Sequence, residues 1–309
     1  MNKTMILCLL FFSTGFAKLE DHFKKAPDKA SIHSMPNIDF IYTINLDQRP
    51  EKFSKCIEQL HPFGIYPYRF SAVNGWELTL ETINDVGVEF ESGMTGGFWG
   101  TSYLDQTFSP HHEIIQNIGQ VYFCHCMGRG PIGIVLSHLS ILQDAIDSGY
   151  ETIWVMEDDI EVVQDPRQIS GLIEQMDASI GKDNWDILFT DRDTKNQQGQ
   201  YVPCKSYARS PNIEPTNPHK FLIEENVGSM FRRLGARYGA YSMILRRSAM
   251  EKILDYAKTY QIFLPYDMFF YLPEGINIFT VQNDVVTTES RAISDNGAPN
   301  YLNKEQKQL

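Results

Sequence analysis

The chain has 309 residues, enough for one large domain or two modest ones, and its 42% hydrophobic and 21% charged residues suit a globular protein with a substantial core. The formal net charge is −12, and no Lys/Arg-rich run offsets it, which argues against nucleic acid or an anionic membrane surface as partner. An anionic substrate would need local neutralisation, by a metal or by a few focused arginines.

Residues 1–17 carry a secretory signal pattern: Lys3, an apolar run from Met5 to Phe12, then Gly15-Phe16-Ala17 before the expected cleavage point. The run is short for a membrane span, so no integral span is expected after cleavage. The expected location is the secretory pathway or an exported compartment; if the segment is an uncleaved anchor, the domain sits at the cytoplasmic face of the membrane. Of 5 cysteines, Cys8 leaves with the signal, and Cys56, Cys124, Cys126 and Cys204 remain. Disulfides are permitted there, but pairing cannot be deduced. Cys124-His125-Cys126 hints at a metal, yet no second Cys/His pair lies at zinc spacing.

A polar segment, residues 18–37, precedes the first expected strand at 38–46. Asp47-Gln48-Arg49-Pro50 turns into a helix carrying Phe53, Ile57 and Leu60 at helical spacing. A strand at 68–73 closes on Asn74-Gly75, giving a strand–helix–strand unit that predicts parallel pairing. Residues 87–129, rich in Gly and aromatics, read as a long ordered excursion of functional type, with Trp99 and Tyr103 as candidates for stacking on a ligand or for local packing. A helix is expected over 134–147, stopped by Ser148-Gly149. Next come a strand ending in Glu157-Asp158-Asp159, a helix over 166–180, and a strand over 185–190 that runs into Asp191-Arg192-Asp193. Residues 195–237 read as a polar loop. A strand over 238–245 leads into a helix with Ser248 as N-cap and Glu251 completing a capping box. An aromatic segment around Asp267, a strand over 276–281 and a polar tail over 298–309 complete the chain. The alternation predicts one α/β domain, residues 38–297, with a mostly parallel sheet flanked by helices.

The run Ile153-Trp154-Val155-Met156-Glu157-Asp158-Asp159 stands out. Three acids at the carboxyl end of a strand lie where open α/β sheets bind ligands. Their repulsion asks for a cation or hydrogen-bond donors, and a divalent metal bound to a phosphate would serve. A solvated acidic turn is the plainer reading of the tripeptide alone.

The chain resembles glycosyltransferase family 25, the group that includes bacterial lipooligosaccharide galactosyltransferases and the domain of procollagen galactosyltransferases. The blocks run in the family's order: Ile44-Asn45-Leu46-Asp47-Gln48-Arg49-Pro50-Glu51-Lys52, then Ala72-Val73-Asn74-Gly75, then Gly130-Pro131-Ile132-Gly133 with Leu136-Ser137-His138. Glu157-Asp158-Asp159, Tyr238-Gly239-Ala240-Tyr241, Pro265-Tyr266-Asp267 and Ser294-Asp295 follow. The family's usual Gly-Glu-Ile-Gly-Cys is altered here, with Pro131 and Ile134 replacing a carboxylate and a thiol, and Asn74 stands for the usual Asp. The resemblance implies a GT-A-like nucleotide-diphosphosugar transferase fold. It implies inverting, metal-assisted transfer of a hexose, galactose or glucose, from a UDP-sugar to a glycan or glycosylated-protein acceptor. Mn²⁺ is the metal it implies, and Mg²⁺ is chemically plausible.

With that resemblance, Asp159 is the expected metal ligand, Glu157 contacts metal or ribose, and Asp158 does either. Asp267 is the candidate base for the acceptor hydroxyl, with Asp191 and Asp193 as competitors and a helix cap as its alternative role. Asn45 and Arg49 are expected on the nucleotide, Arg49 as a phosphate fork or else in a surface ion pair. Ser137 and His138 are donor-site candidates whose alternative is packing. Ser294 and Asp295 are placed to close over the donor, Asp295 as a further metal ligand. A non-catalytic carbohydrate-binding protein on the same fold is the alternative function. A metal-dependent phosphoesterase lacks the richer His/Asp cluster it would need.

Overall fold

The computed structural model describes residues 18–105, 109–196, 198–289 and 292–302. The expected signal segment and the end of the tail lie outside them. Strand β1 (Phe40–Asn45) leads through Pro50, at the first turn of α1 (Pro50–Leu60), to β2 (Tyr68–Ser71). Proline fits there because the first turn's N–H groups have no helical partner. Then come α2 (Leu80–Val86), β3 (Val88–Glu89), β4 (Trp99–Ser102), β5 (His111–Ile114) and β6 (Val121–Cys124). Helix α3 (Arg129–Asp147) precedes β7 (Thr152–Glu157), β8 (Ile160–Val162), α4 (Gln168–Ile180) and β9 (Ile187–Phe189). The hairpin β10 (Glu224–Val227) and β11 (Phe231–Leu234) is followed by β12 (Ser242–Arg246), α5 (Arg247–Tyr260), α6 (Tyr266–Phe269), β13 (Ile278–Val281) and β14 (Val286–Thr288).

The central sheet has eight strands in the order β10-β11-β13-β9-β12-β7-β1-β2. Its pairings make β2, β1, β7, β9, β13 and β10 run one way, with β12 and β11 reversed. This is the expected α/β architecture: a mostly parallel sheet flanked by helices. The period of two along each strand divides the core. Ile153 and Val155 of β7 join Phe40, Tyr42 and Ile44 of β1 under α3 and α5, while Trp154 and Met156 join Ile41 under α1 and α4.

Several expectations change. Residues 87–129 form a separate antiparallel sheet, β3-β6-β4-β5, whose strands of two to four residues are too short to show a period. The polar region 195–237 contributes the β10–β11 hairpin to the edge of the central sheet. Helix α3 begins at Arg129, because Pro131 occupies its first turn rather than stopping it. The capping box at Ser248 does not form: Ser248 lies inside α5 with its hydroxyl on Asp186 Oδ1 (2.5 Å), and Glu251 pairs with Arg247 (3.0 Å). The polar segment ahead of β1 packs on the domain, burying Leu19 and bonding Lys24 Nζ to Ala72 O (2.8 Å). No helix among the described residues is long and apolar enough to cross a membrane.

Candidate active site

The carboxyl ends of β2, β1 and β7 lie side by side. Asn45 pairs in register with Ser71, and Ile44 with Glu157. Over this edge opens a cleft of about 630 Å³, lined among others by Lys52, Asn74, Trp76, His138, Glu157, Asp158, Asp159 and Asp295.

Three glycines let the backbone close around the cleft. A Cβ at Gly133 would stand 2.5 Å from Val73 O and Gly75 N, one at Gly75 would collide with Arg129 O, and one at Gly130 with Asn296 O. The first turn of α3 therefore packs directly on the Val73–Gly75 loop and on the C-terminal segment, bringing together three blocks far apart in sequence.

Strand β7 ends at Glu157, and Asp158 and Asp159 form the turn into β8, so strict alternation does not place the acids. All three nevertheless line the cleft. The Glu157 N–H donates to Tyr241 O (2.9 Å), and its carboxylate lies 3.4 Å from His138 Nε2. Burial, with the charges of Asp158 and Asp267, pushes its pKa up to about 7. Asp158 accepts from Asn45 Nδ2 (2.7 Å) and faces Lys52 Nζ at 3.5 Å. Burial raises it, and Lys52 opposes the rise. Asp159 Oδ1 is buried without a hydrogen-bond partner. Burial, then the charges of Glu157 and Asp158, push Asp159 up to about 7.

A crowded acid set with an orphaned buried oxygen fits a cation. Among the described residues no three or more His, Cys, Asp or Glu form a ready-made metal cage.

Asn45 is where it was expected, but its amide serves as a brace. It donates to Asp158 and to Arg49 O (2.8 Å), and accepts from Arg69 Nε (2.7 Å). Arg49 is corrected. It is neither a surface ion pair nor a fork presented to ligand: 5% exposed, it lies behind the cleft wall, bonded to Asp295 Oδ2 (2.5 Å) and Glu51 (2.8 Å). The cation that faces the cleft is Lys52, three residues on, 3.5 Å from Asp158 and 3.8 Å from Asp295. Sequence reasoning gave Lys52 no role, although it follows Arg49-Pro50-Glu51 at a spacing that puts it in the first turn of α1.

Ser137 and His138 sit inside α3 rather than at its start. Ser137 Oγ accepts from Val73 N (2.8 Å) and donates to Gly133 O (2.7 Å), a brace between helix and loop. His138 is fully buried, stacked on Tyr266 with centroids 3.9 Å apart and planes 7° apart, and burial pushes its pKa down to about 3. A neutral imidazole beside Glu157 positions that carboxyl without competing for charge.

A second cavity adjoins the first, lined by Pro131, Ile134, Glu157, Gly239, Ala240, Tyr241, Pro265, Tyr266, Asp267 and Asn296. Glu157 is the acid common to both. Asp267 stands in the first turn of α6, accepts from Gly239 N (3.2 Å), and is raised by burial. Asp191 is corrected as a competitor: fully buried, it is bound by Arg237 (2.6 Å), Tyr241 OH (2.5 Å) and Thr287 (3.1 Å). Asp193, 3% exposed, is turned to Thr194 N (2.9 Å) and lines neither cavity. Ser294 and Asp295 line the first cavity, with Trp76 Nε1 donating to Asp295 O (2.9 Å). Pro131 and Ile134, two of the departures from the family pattern, both face the second cavity. A third cavity lies beside these, sharing Trp76 with the first and Pro131 with the second; Tyr103 lines it though 3% exposed, while Trp99 is 57% exposed on β4.

Fold and cleft together define an α/β protein with an acid-lined cleft over the carboxyl edge of a mostly parallel sheet. Residues 38–270 match the family described as glycosyltransferase family 25 (LPS biosynthesis protein). The chain belongs to glycosyltransferase family 25. It is similar to a glycosyltransferase 25 family member of Aedes aegypti, 27% identical over 58% of this chain and 25% of that one. A Drosophila melanogaster member is 30% identical over 45% of this chain and 18% of its own. A human relative named inactive glycosyltransferase 25 family member 3 is 24% identical over 52% of this chain and 23% of its own. The chain thus spans about a quarter or less of the length of these relatives. Among solved structures, mannose-1-phosphate geranyltransferase from Thermus thermophilus aligns over 80% of this chain and 75% of its own, at 10% identity and a TM-score of 0.34, a likeness too distant to carry an argument.

Proposed function

We propose that this protein transfers a hexose, galactose or glucose, from a UDP-sugar to a glycan or glycosylated-protein acceptor, with inversion at the anomeric carbon. One observation carries the reading: the acid-lined cleft continues through Glu157 into a second cavity that holds a separate carboxyl, Asp267. Two joined cavities with acids in distinct surroundings suit two substrates and two tasks.

In the first cavity Asp159, assisted by Glu157, would hold Mn²⁺ or Mg²⁺, with Asp295 as a further oxygen donor. Bound there, the ion would supply Lewis-acid stabilisation of the departing diphosphate. Lys52 adds a fixed positive charge beside Asp158, suited to a phosphate oxygen. Asn45 keeps Asp158 aimed into the cleft, and neutral His138 keeps Glu157 in place. In the second cavity Asp267 takes the proton from the attacking acceptor hydroxyl at its carboxylate oxygen. Burial raises its proton affinity toward what that task needs. The Gly239 N–H fixes the carboxylate's direction.

The test is turnover of UDP-hexoses with and without Mn²⁺, in wild type and in Asp159→Ala. Metal-dependent turnover that the variant loses supports the reading. Turnover without metal, or unchanged in the variant, overturns it.

A second reading, a non-catalytic carbohydrate-binding protein, draws on Pro131 and Ile134, which give the second cavity an apolar wall where the family pattern has a carboxylate and a thiol. Tight glycan binding with no turnover of any UDP-sugar would favour it.

A further inference from the structure

We propose that Cys124 and Cys126 form a thiol–disulfide couple at the mouth of the third cavity, with Cys126 as the attacking thiol and Cys124 as the resolving one. The two Sγ atoms lie 3.1 Å apart, and both residues are free thiols. Cys126 is exposed and Cys124 buried, the asymmetry that separates an attacking thiol from a resolving one. The geometry is set by the backbone. Cys124 ends β6, its N–H is anchored on Phe263 O (2.8 Å), and Met127 N returns to Cys124 O (2.9 Å). This tight turn presents the Cys126 side chain back toward Cys124.

Among the described residues the other two thiols are engaged elsewhere. Cys56 is buried under α1 at 3.9 Å from Thr43 Oγ1, and Cys204 Sγ bonds to Ser206 O (3.3 Å). Among the described residues no third His, Asp or Glu joins the pair as a metal site. The two sulfurs therefore face each other rather than a shared cation. The hydrogen bond to Cys124 brings the Cys126 thiol down to about 7, while the same bond and burial hold Cys124 up. A thiol that ionises near ambient pH is the effective nucleophile in exchange. Closing the gap to a bond of about 2.05 Å takes roughly 1 Å of movement.

The oxidant is a small disulfide such as oxidised glutathione. The Cys126 thiolate attacks one of its sulfurs, the S–S bond breaks, and one glutathione thiolate leaves. Cys124 then gives up its proton and attacks Cys126 Sγ, and the second glutathione leaves. Two S–H groups are oxidised to one S–S bond while one glutathione disulfide is reduced to two thiols. The change reaches the cleft's surroundings. Cys126 lines the third cavity beside Trp76, Arg129, Pro131 and Asn296, and the turn that carries it runs straight into the first turn of α3.

The experiment equilibrates the purified full chain in glutathione buffers from reducing to oxidising. Free thiols are then blocked by alkylation, and peptide masses are read. The expected result is loss of two hydrogens on the peptide holding both cysteines, with no glutathione retained. Cys124→Ser should instead keep one glutathione on Cys126, and Cys126→Ser should leave Cys124 unmodified. A lasting glutathione adduct on wild-type Cys126, a pair that stays reduced in every buffer, or a bond from Cys126 to Cys204 would each overturn the proposal. The wild-type masses decide alone if the buried Cys124→Ser variant folds poorly.

Discussion

Arg49 Nη1 donates to Asp295 Oδ2 at 2.5 Å, tying the loop after the first strand to a segment 246 residues later. Both side chains are nearly excluded from water, at 6% and 7% exposure. Breaking one side of such a pair strands a buried charge. Arg49→Met is expected to cost about 3–5 kcal/mol of stability, toward the low end because Lys52 also faces Asp295. Adding Asp295→Asn should recover part of that loss. Urea unfolding of the two single variants and the double variant checks this, and a loss below about 1 kcal/mol for Arg49→Met would mean that the pair behaves like a surface bridge.

Asp159, like Asp295, carries a buried oxygen without a hydrogen-bond partner. Asp159→Asn keeps the shape and removes the charge. It is expected to weaken Mn²⁺ binding in the presence of UDP by roughly tenfold or more, equivalent to about 1.4 kcal/mol. Titration calorimetry reads this directly, without relying on turnover. Equal affinity in wild type and variant would move the metal away from Asp159.

The same acids give stability a pH dependence. Glu157 and Asp159 have ordinary values of 4.5 and 3.8 and are pushed up to about 7 in the folded protein. The folded state therefore holds protons that the unfolded state releases. Stability from these groups is full below their ordinary values and is lost as pH rises through about 7. Metal-free protein should melt at progressively lower temperature across that window, Asp159→Asn should show a shallower decline, and Mn²⁺ should restore the wild type most above neutrality. Scanning calorimetry across pH checks the sign. A metal-free melting temperature that climbs over the same window contradicts it.

Gly133 and Gly171 make a matched pair. A Cβ at Gly133 meets backbone at 2.5 Å, whereas one at Gly171, in α4, meets nothing within 4 Å. Gly133→Ala should destabilise by about 1–3 kcal/mol or more and weaken UDP binding, because neither backbone can yield alone. Gly171→Ala should gain about 0.5–1 kcal/mol from helix propensity. Equal effects from the two substitutions would refute the close-packing argument.

Asp267→Asn should separate the two cavities' tasks. UDP binding is expected to stay within about twofold of wild type, while transfer to acceptor falls about 10²–10⁴-fold, the usual weight of a general base. Transfer that survives the change would assign the proton to another group.

The parallel unit β1–α1–β2, the acid-ended β7 and helices α3, α4 and α5 were legible because their apolar residues recur at clear periods and their ends carry turn residues. The β3–β6 sheet was not, since strands of two to four residues leave no period to read. Within the site, the acids of β7 and Asp267 were expected from chemistry and family pattern, and the fold sets them along two adjoining cavities. Sequence names a basic loop without saying which side chain turns inward: Lys52 lines the first cavity, whereas Arg49 is bonded to Asp295. Asp191 looked as available as Asp267, and only the fold shows Arg237 closing on it. The Ser248 hydroxyl satisfied every local rule for a cap, yet Asp186, 62 residues away, took it.

The cleft draws its walls from both ends of the described domain: Ile44, Leu46 and Lys52 near the start, Asp295 and Asn296 near the finish. During synthesis the chain must therefore emerge past Asn296 before the first cavity has all its sides. Loading with the proposed nucleotide sugar then becomes a late event of maturation. A bound ligand would act as a clasp on the terminal segment, protecting its backbone amides from exchange more than those of the central sheet, which fold together without it.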